Sequence, residues 1–215
     1  RLVRYRCWVQ GRVTSLKCRI RHILADYNLD RKDLFTREGR AYAAGLKLPA
    51  ADRFVLDELW LSLEHYAQRL AAAEKALREF AKSDPPQEKR ARRRLDTIGG
   101  VGEVTIDVFL AETADVRRFS SQKKLTAYAG LAPGQRESGG KRQELGITHA
   151  GSRLLRWVLV QAAWQLVRRD ARWRRIFEAL LKRRGKKKAI VAVARRLLCL
   201  MMAVVVNDRP YRQAA

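Results

Sequence analysis

The chain has 215 residues, 47% of them hydrophobic and 32% charged, which is enough for one or two domains with a buried core and too apolar for a disordered tail. Against 22 Asp and Glu stand 46 Lys and Arg, and the resulting charge of +24 implies a polyanionic partner, with nucleic acid the leading class. The 3 cysteines show no CxxC or His-rich spacing, so neither a disulfide framework nor a zinc site is indicated, and with no signal-peptide pattern the expected compartment is a reducing cytoplasm.

From Arg1 to Ile23, apolar residues at Leu2, Val9, Val13, Leu16, Ile20 and Ile23 follow a helical period, with Arg4, Arg12, Lys17, Arg19 and Arg21 on other faces. A basic amphipathic helix ending near Asn28 is predicted. Residues 31–49 read as a loop with short helices at most. Because the sequence opens on Arg1 inside a helical pattern, a fragment of something longer is expected.

Leu56, Leu59, Leu63, Tyr66, Leu70, Ala73, Leu77 and Phe80 then alternate steps of three and four, a seam of about three and a half heptads. It predicts a coiled coil, with the first helix or with a second subunit, or else an ordinary core-facing helix. Ser83-Asp-Pro-Pro86 breaks the pattern. The predicted organisation is therefore a basic helix and loop over 1–54, a coiled-coil segment over 55–84 and a C-terminal domain over 87–215.

Helices are predicted from Ser152 to Asp170, onward to about Arg184, and from about Lys186 to Val206 past Gly185. Little of the chain alternates in period two, so the fold class is all-α, with long coiled-coil helices followed by a helical domain. The apolar run from Ala189 to Val206 is the candidate membrane span, but Arg195 and Arg196 near its middle would each cost about 2.5 to 3.5 kcal/mol in a bilayer. A buried helix and no membrane partner are expected.

Within the C-terminal domain, residues 95–112 place Gly100 and Gly102 around Val101 between two helical stretches, the layout of a helix-hairpin-helix. Glycines allow the tight turn, and free N–H groups of the next helix, with its dipole, suit a phosphate. A glycine-rich turn that binds nothing is the alternative; the arginines just before it, in "EKRARRR", favour phosphate. That run and "KRRGKKK" read either as nucleic-acid contacts or as solvated helix faces. Trp157, Trp164 and Trp173 lie at helical spacing and are expected in the core. His22, His65 and His149 form no ligand set, and no metal site is expected in this chain.

The string "LDTIGGVGEVTIDVFLAE" from Leu95 to Glu112, "AYAGLAP" at Ala127 to Pro133, "SGGK" at Ser138 to Lys141 and "GITHAGSRLLR" at Gly146 to Arg156 resembles, in order and spacing, the C-terminal domain of the DEDD-type insertion-sequence transposases. These are related to the Piv DNA invertase, and several are guided by a bridge RNA. The resemblance implies DNA as partner, a guide RNA for some members, a homo-oligomer built through the coiled coil, and transposition or site-specific recombination by serine attack on a DNA phosphodiester.

Carried over by position, Ser138 is the implied nucleophile, and Arg136, Gly139, Gly140, Lys141 and Arg142 are candidate cradle groups for the phosphate. Arg153 and Arg156 join Gly100 and Gly102 as candidate DNA contacts. Glu137 and His149 depart from the family pattern, which has a small polar and a basic residue there. The family's divalent metal, magnesium, sits on four acidic residues of an N-terminal RuvC-like domain. These 215 residues show no such quartet, so that half is expected to lie outside them, by truncation or through a degenerate reading frame, and the chain alone is expected to be inactive.

Overall fold

The computed structural model describes residues 1–138 and 141–211, and between 135 and 145 the course of the backbone only. The chain divides into two compact units, Arg1–Phe80 and Ala81–Ala215. Among the described residues the fold is all-α apart from one β-hairpin.

The first unit holds α1 (Leu2–Asp26), α2 (Arg37–Ala44) and the long α3 (Ala50–Ser83). Val13, Ile20 and Leu24 of α1 share one apolar cluster with Leu56 and Leu63 of α3, joined by Leu34 and Ala43 from the connection. The two long helices run antiparallel: Arg6 donates to Glu74 at 2.6 Å near one end, and Tyr27 donates its hydroxyl proton to Asp52 near the other. That carboxylate raises the Tyr27 pKa through the hydrogen bond. The seam of α3 thus packs inside the chain over most of its length, with Leu56, Leu63 and Ala73 buried and Phe80 65% exposed. The short α2 starts where the Thr36 side chain accepts from the Gly39 N–H at 3.1 Å, a capping contact that stabilises a first helical turn.

The second unit is built around α5 (Glu103–Thr113), α7 (Arg153–Arg169) and α9 (Lys186–Val206). All residues from Thr105 to Leu110 are buried, so α5 is enclosed on all sides. Around these three stand α4 (Pro86–Asp96), α6 (Gln122–Tyr128) and α8 (Ala171–Arg184), with a 3-10 turn at Val116–Arg118. Among the described residues α9 is the one helix long and apolar enough to cross a membrane. Ten of its residues, from Ala189 to Val205, are buried within the unit, and it packs against α4, α6, α7 and α8.

One residue joins α7 to α8. Asp170 ends the first helix and caps the second, its Oδ1 accepting from the N–H groups of Arg172 (2.9 Å) and Trp173 (3.2 Å). Its Oδ2 accepts from the Tyr211 hydroxyl at 3.1 Å, and that hydroxyl accepts from Trp173 Nε1 at 3.0 Å. The three tryptophans expected in the core divide here: Trp173 is buried, Trp164 is half-buried edge-on to Phe177, and Trp157 stands 49% exposed on α7.

Candidate functional site

The strands that all-helical patterning hides are β1 (Pro133–Ser138) and β2 (Lys141–Ile147), an antiparallel hairpin in which Ser138 pairs with Lys141, Glu137 with Arg142 and Arg136 with Gln143. Ser138 and Lys141 thus face each other in register at the tip, flanking Gly139 and Gly140, which lie outside the described residues. The side chains of Arg136, Ser138, Lys141 and Arg142 also lie outside them. No apolar alternation marks these strands; the backbone ladder and a braced base define them.

That base is built from the two motifs flanking the serine. Below the strands the ladder continues with Thr148 N–H donating to the Ala132 carbonyl (3.0 Å) and His149 N–H to that of Gly130 (3.2 Å). Arg156, on the first turns of α7, donates through Nη1 to the carbonyls of Ala129 (3.1 Å) and Gly151 (3.0 Å), tying the end of α6 to the segment after β2. Gly130 has φ +67°, a left-handed conformation that favours glycine. Gly151 is pressed against the Tyr128 carbonyl with no room for a side chain. Ser152 caps α7 by accepting from the Leu155 N–H at 3.1 Å.

Of the two arginines expected on DNA from this helix, Arg156 is therefore engaged with backbone carbonyls, whereas Arg153 is exposed at the start of α7. His149 is exposed with φ +56°, at the turn closing the hairpin base.

Residues 97–102 connect α4 to α5. Gly100, at φ +92°, lies against α7 so closely that a Cβ would come 2.7 Å from the Leu166 nitrogen. Its role is packing. Gly102 differs: it caps α5 with open space where a Cβ would point. The start of α5 is thus the approachable end of this turn, although Glu103 in its first turn already supplies negative charge to the helix dipole.

The arginines of α4 take different roles. Arg92 donates to Asp84 at 2.7 Å and to the buried Asp107 of α5, so it is a structural charge. Those two carboxylates raise its pKa against the desolvation that opposes them. Arg90 and Arg94 bind Asp208 just after α9, at 3.3 and 3.2 Å. Arg93 and residues 181–188 are exposed to solvent. Sequence patterning marks none of Asp107, Asp170 and Asp208, because a single acidic residue carries no periodic signal. Among the described residues no three His, Cys, Asp or Glu side chains converge as a metal site would need.

Comparison with known proteins shows what this segment is similar to. Residues 92–178, from α4 through most of α8 and including the serine hairpin, match the family described as "Transposase IS116/IS110/IS902 family". The "Transposase for insertion sequence element IS1111A" of Coxiella burnetii is 30% identical over 168 residues, covering 75% of this chain and 44% of that protein. The "Probable family 20 transposase" of Pseudomonas aeruginosa is 29% identical over 215 residues, covering 93% of this chain and 60% of that protein. A "Pilin gene-inverting protein" of Moraxella bovis is 29% identical over 156 residues, covering 70% and 47%. The chain spans about half the length of the curated relatives it matches.

Proposed function

We propose that this chain is the part of a DNA transposase or site-specific recombinase that holds nucleic acid and presents the attacking serine. The observation that carries the reading is the hairpin: Ser138 at its tip, opposite Lys141 in register, on a base that Arg156 clamps to α7. A transposase-family match across it and a charge of +24 support DNA as the partner.

The chemistry follows from the residue types. Ser138 Oγ attacks the phosphorus, the phosphoserine bond forms, and the bond to the deoxyribose oxygen breaks. The serine proton passes to a base, and the departing oxygen takes up a proton to become a free hydroxyl. Charge growing on the phosphoryl oxygens needs cations and N–H donors fixed beforehand, the role proposed for Lys141, Arg136, Arg142 and the N–H groups of Gly139 and Gly140. Gly102 and Arg153 are proposed to touch phosphates further along the duplex; such contacts position DNA without reading its sequence. A divalent ion would supply Lewis-acid stabilisation to such a reaction. The described residues bring together no three His, Cys, Asp or Glu side chains that could hold one.

A homo-oligomer is proposed through the outward side of α3, and a guide RNA is a further proposed partner for the basic surface. The deciding experiment is Ser138→Ala in a full-length transposase background. Strand transfer and the covalent protein–DNA adduct should vanish while duplex affinity stays within about twofold of wild type, because a hydroxyl carries none of the salt-dependent binding. Parallel loss of binding and activity would make the serine structural and leave a binding module. The isolated chain should bind nucleic acid without exchanging strands.

A further inference from the structure

We infer that Arg90, Arg94 and Arg117 form a phosphodiester-binding cleft on the second unit, and that Asp208 occupies it as an internal stand-in for the phosphate. The inference rests on the nucleic-acid reading above and gives it a second location, away from the serine hairpin in sequence. A cavity of about 220 Å³ opens between α4, the 3-10 turn and the end of α9, with Arg90, Arg117, Gln87 and Asp208 among its lining residues. Asp208 offers Oδ2 to Arg90 Nη1 at 3.3 Å at the cavity wall and Oδ1 to Arg94 Nε at 3.2 Å beside it. Arg117 has the exposed Asp115, at 3.7 Å, as its acidic neighbour.

The acid is out of place by local rules. Asp208 follows the C-cap Asn207 of α9 and has φ +51°, a position where helices favour Gly or Asn. It also sets a negative charge at the negative end of the helix dipole. Its environment is nonetheless cationic: the Arg94 hydrogen bond, then that of Arg90, holds its carboxyl below the usual range. The interaction that justifies a carboxylate here is the one with the arginines.

That interaction is easily exchanged. The Arg90 side chain is 63% exposed and that of Asp208 40%, and exposed ion pairs of this kind contribute little net stability. A phosphodiester offers two non-bridging oxygens to the same guanidinium groups and adds counterion release from the polymer. The chain just beyond Asp208 is tied down separately, Tyr211 N–H donating to the Thr97 hydroxyl at 2.8 Å. The carboxylate can therefore turn aside without freeing the tail.

The test measures binding of the purified chain to a short duplex of arbitrary sequence across a salt series. Asp208→Asn is compared with Asp30→Asn, which makes the same charge change in the first unit. Opening the cleft should tighten low-salt binding roughly threefold or more and steepen the log–log salt slope by about 0.9, one added phosphate contact. Asp30→Asn should do neither, and Arg117→Gln added to Asp208→Asn should cancel the gain. Asp208→Gly, equally compatible with the left-handed backbone, should repeat the result if Asn perturbs folding. Equal behaviour of Asp208→Asn and Asp30→Asn overturns the cleft. Thermal stabilisation of Asp208→Asn by inorganic phosphate that matches the effect of duplex at equal phosphate concentration overturns its assignment to a polymer. If the wild-type chain binds no duplex at low salt, the nucleic-acid reading itself fails; a binding wild type with an unmoved Asp208→Asn removes the cleft alone.

Discussion

Arg156 fills the space in which a side chain on Gly130 would stand: a Cβ on the glycine would come 2.5 Å from Nη1 of the arginine. The two residues form one joint, since the nitrogen that excludes the Cβ also donates to the carbonyls of Ala129 and Gly151. Gly130→Ala should lower stability by about 1 to 3 kcal/mol from its left-handed backbone alone. Arg156→Gln should lower it by about 1 to 3 kcal/mol, the cost of carbonyls left without donors. Urea denaturation measures both. Strand transfer in a full-length background should fall with Arg156→Gln while the salt slope of DNA binding stays unchanged, as expected of a residue that touches carbonyls rather than phosphates.

Two glycines of the α4–α5 connection should separate in the same assay. Gly100→Ala would press a methyl into the backbone of α7 at φ +92° and should cost about 1 to 3 kcal/mol or more. Gly102→Ala meets open space and should cost less than about 1 kcal/mol, the difference between Gly and Ala at an N-cap. If the start of α5 holds a phosphate, Gly102→Ala should nonetheless weaken duplex binding; unchanged affinity would remove Gly102 from the interface.

Arg92 and Asp107 connect α4 to the enclosed α5. Asp107→Ala leaves a largely covered guanidinium with Asp84 alone, and the expected loss is on the order of 3 kcal/mol, the scale for breaking a buried ion pair. Replacing Arg92 by Met together with Asp107 by Leu should recover only part of that loss, because the apolar pair needs no compensation but Asp84, which also accepts from Arg92, loses its guanidinium. Chemical denaturation of the single and double variants checks the pair.

Tyr211 gives a pH signature. Burial, with Asp170 adding to it against Trp173, raises its pKa above the ordinary value of 10.0. Below pH 10 the phenol is neutral in both folded and unfolded chains, so the stability it contributes is fully present. As pH rises past 10 the unfolded chain ionises first, and that contribution is lost as pH climbs through the raised folded pKa. Tyr211→Phe should therefore be less stable at neutral pH, by about 1 kcal/mol for the hydrogen bonds lost, and the gap should narrow above pH 10. A gap independent of pH would show that the hydroxyl is not held by Asp170.

The helices were legible in the sequence wherever one face is buried. The spacing that predicted a helix from Ser152 to Asp170 meets α7 at Arg153–Arg169, and Gly185 separates α8 from α9 where a break was expected. The hairpin at 133–147 was not legible as strands, because its residues are polar on successive positions and its register comes from the ladder and the Arg156 clamp. Trp157 misled for a related reason: helical spacing shows that three tryptophans lie near one side of a helix, but not which of them the neighbouring helices cover. The family motifs located the hairpin without revealing its shape. They marked Arg156 as a DNA contact without indicating that its Nη1 also donates to the carbonyls of Ala129 and Gly151.

Asp170 belongs to two helices at once, and this makes the corner between α7 and α8 a fixed elbow. Its Oδ1 fixes the start of one arm, its own N–H closes the last turn of the other by donating to the Leu166 carbonyl at 2.9 Å, and Tyr211 bolts it from outside. The arm on one side seats the serine hairpin through Arg156; the other ends in Lys182, Arg183 and Arg184. A force on those terminal charges would act on a bent lever whose far end carries the Arg156 clamp.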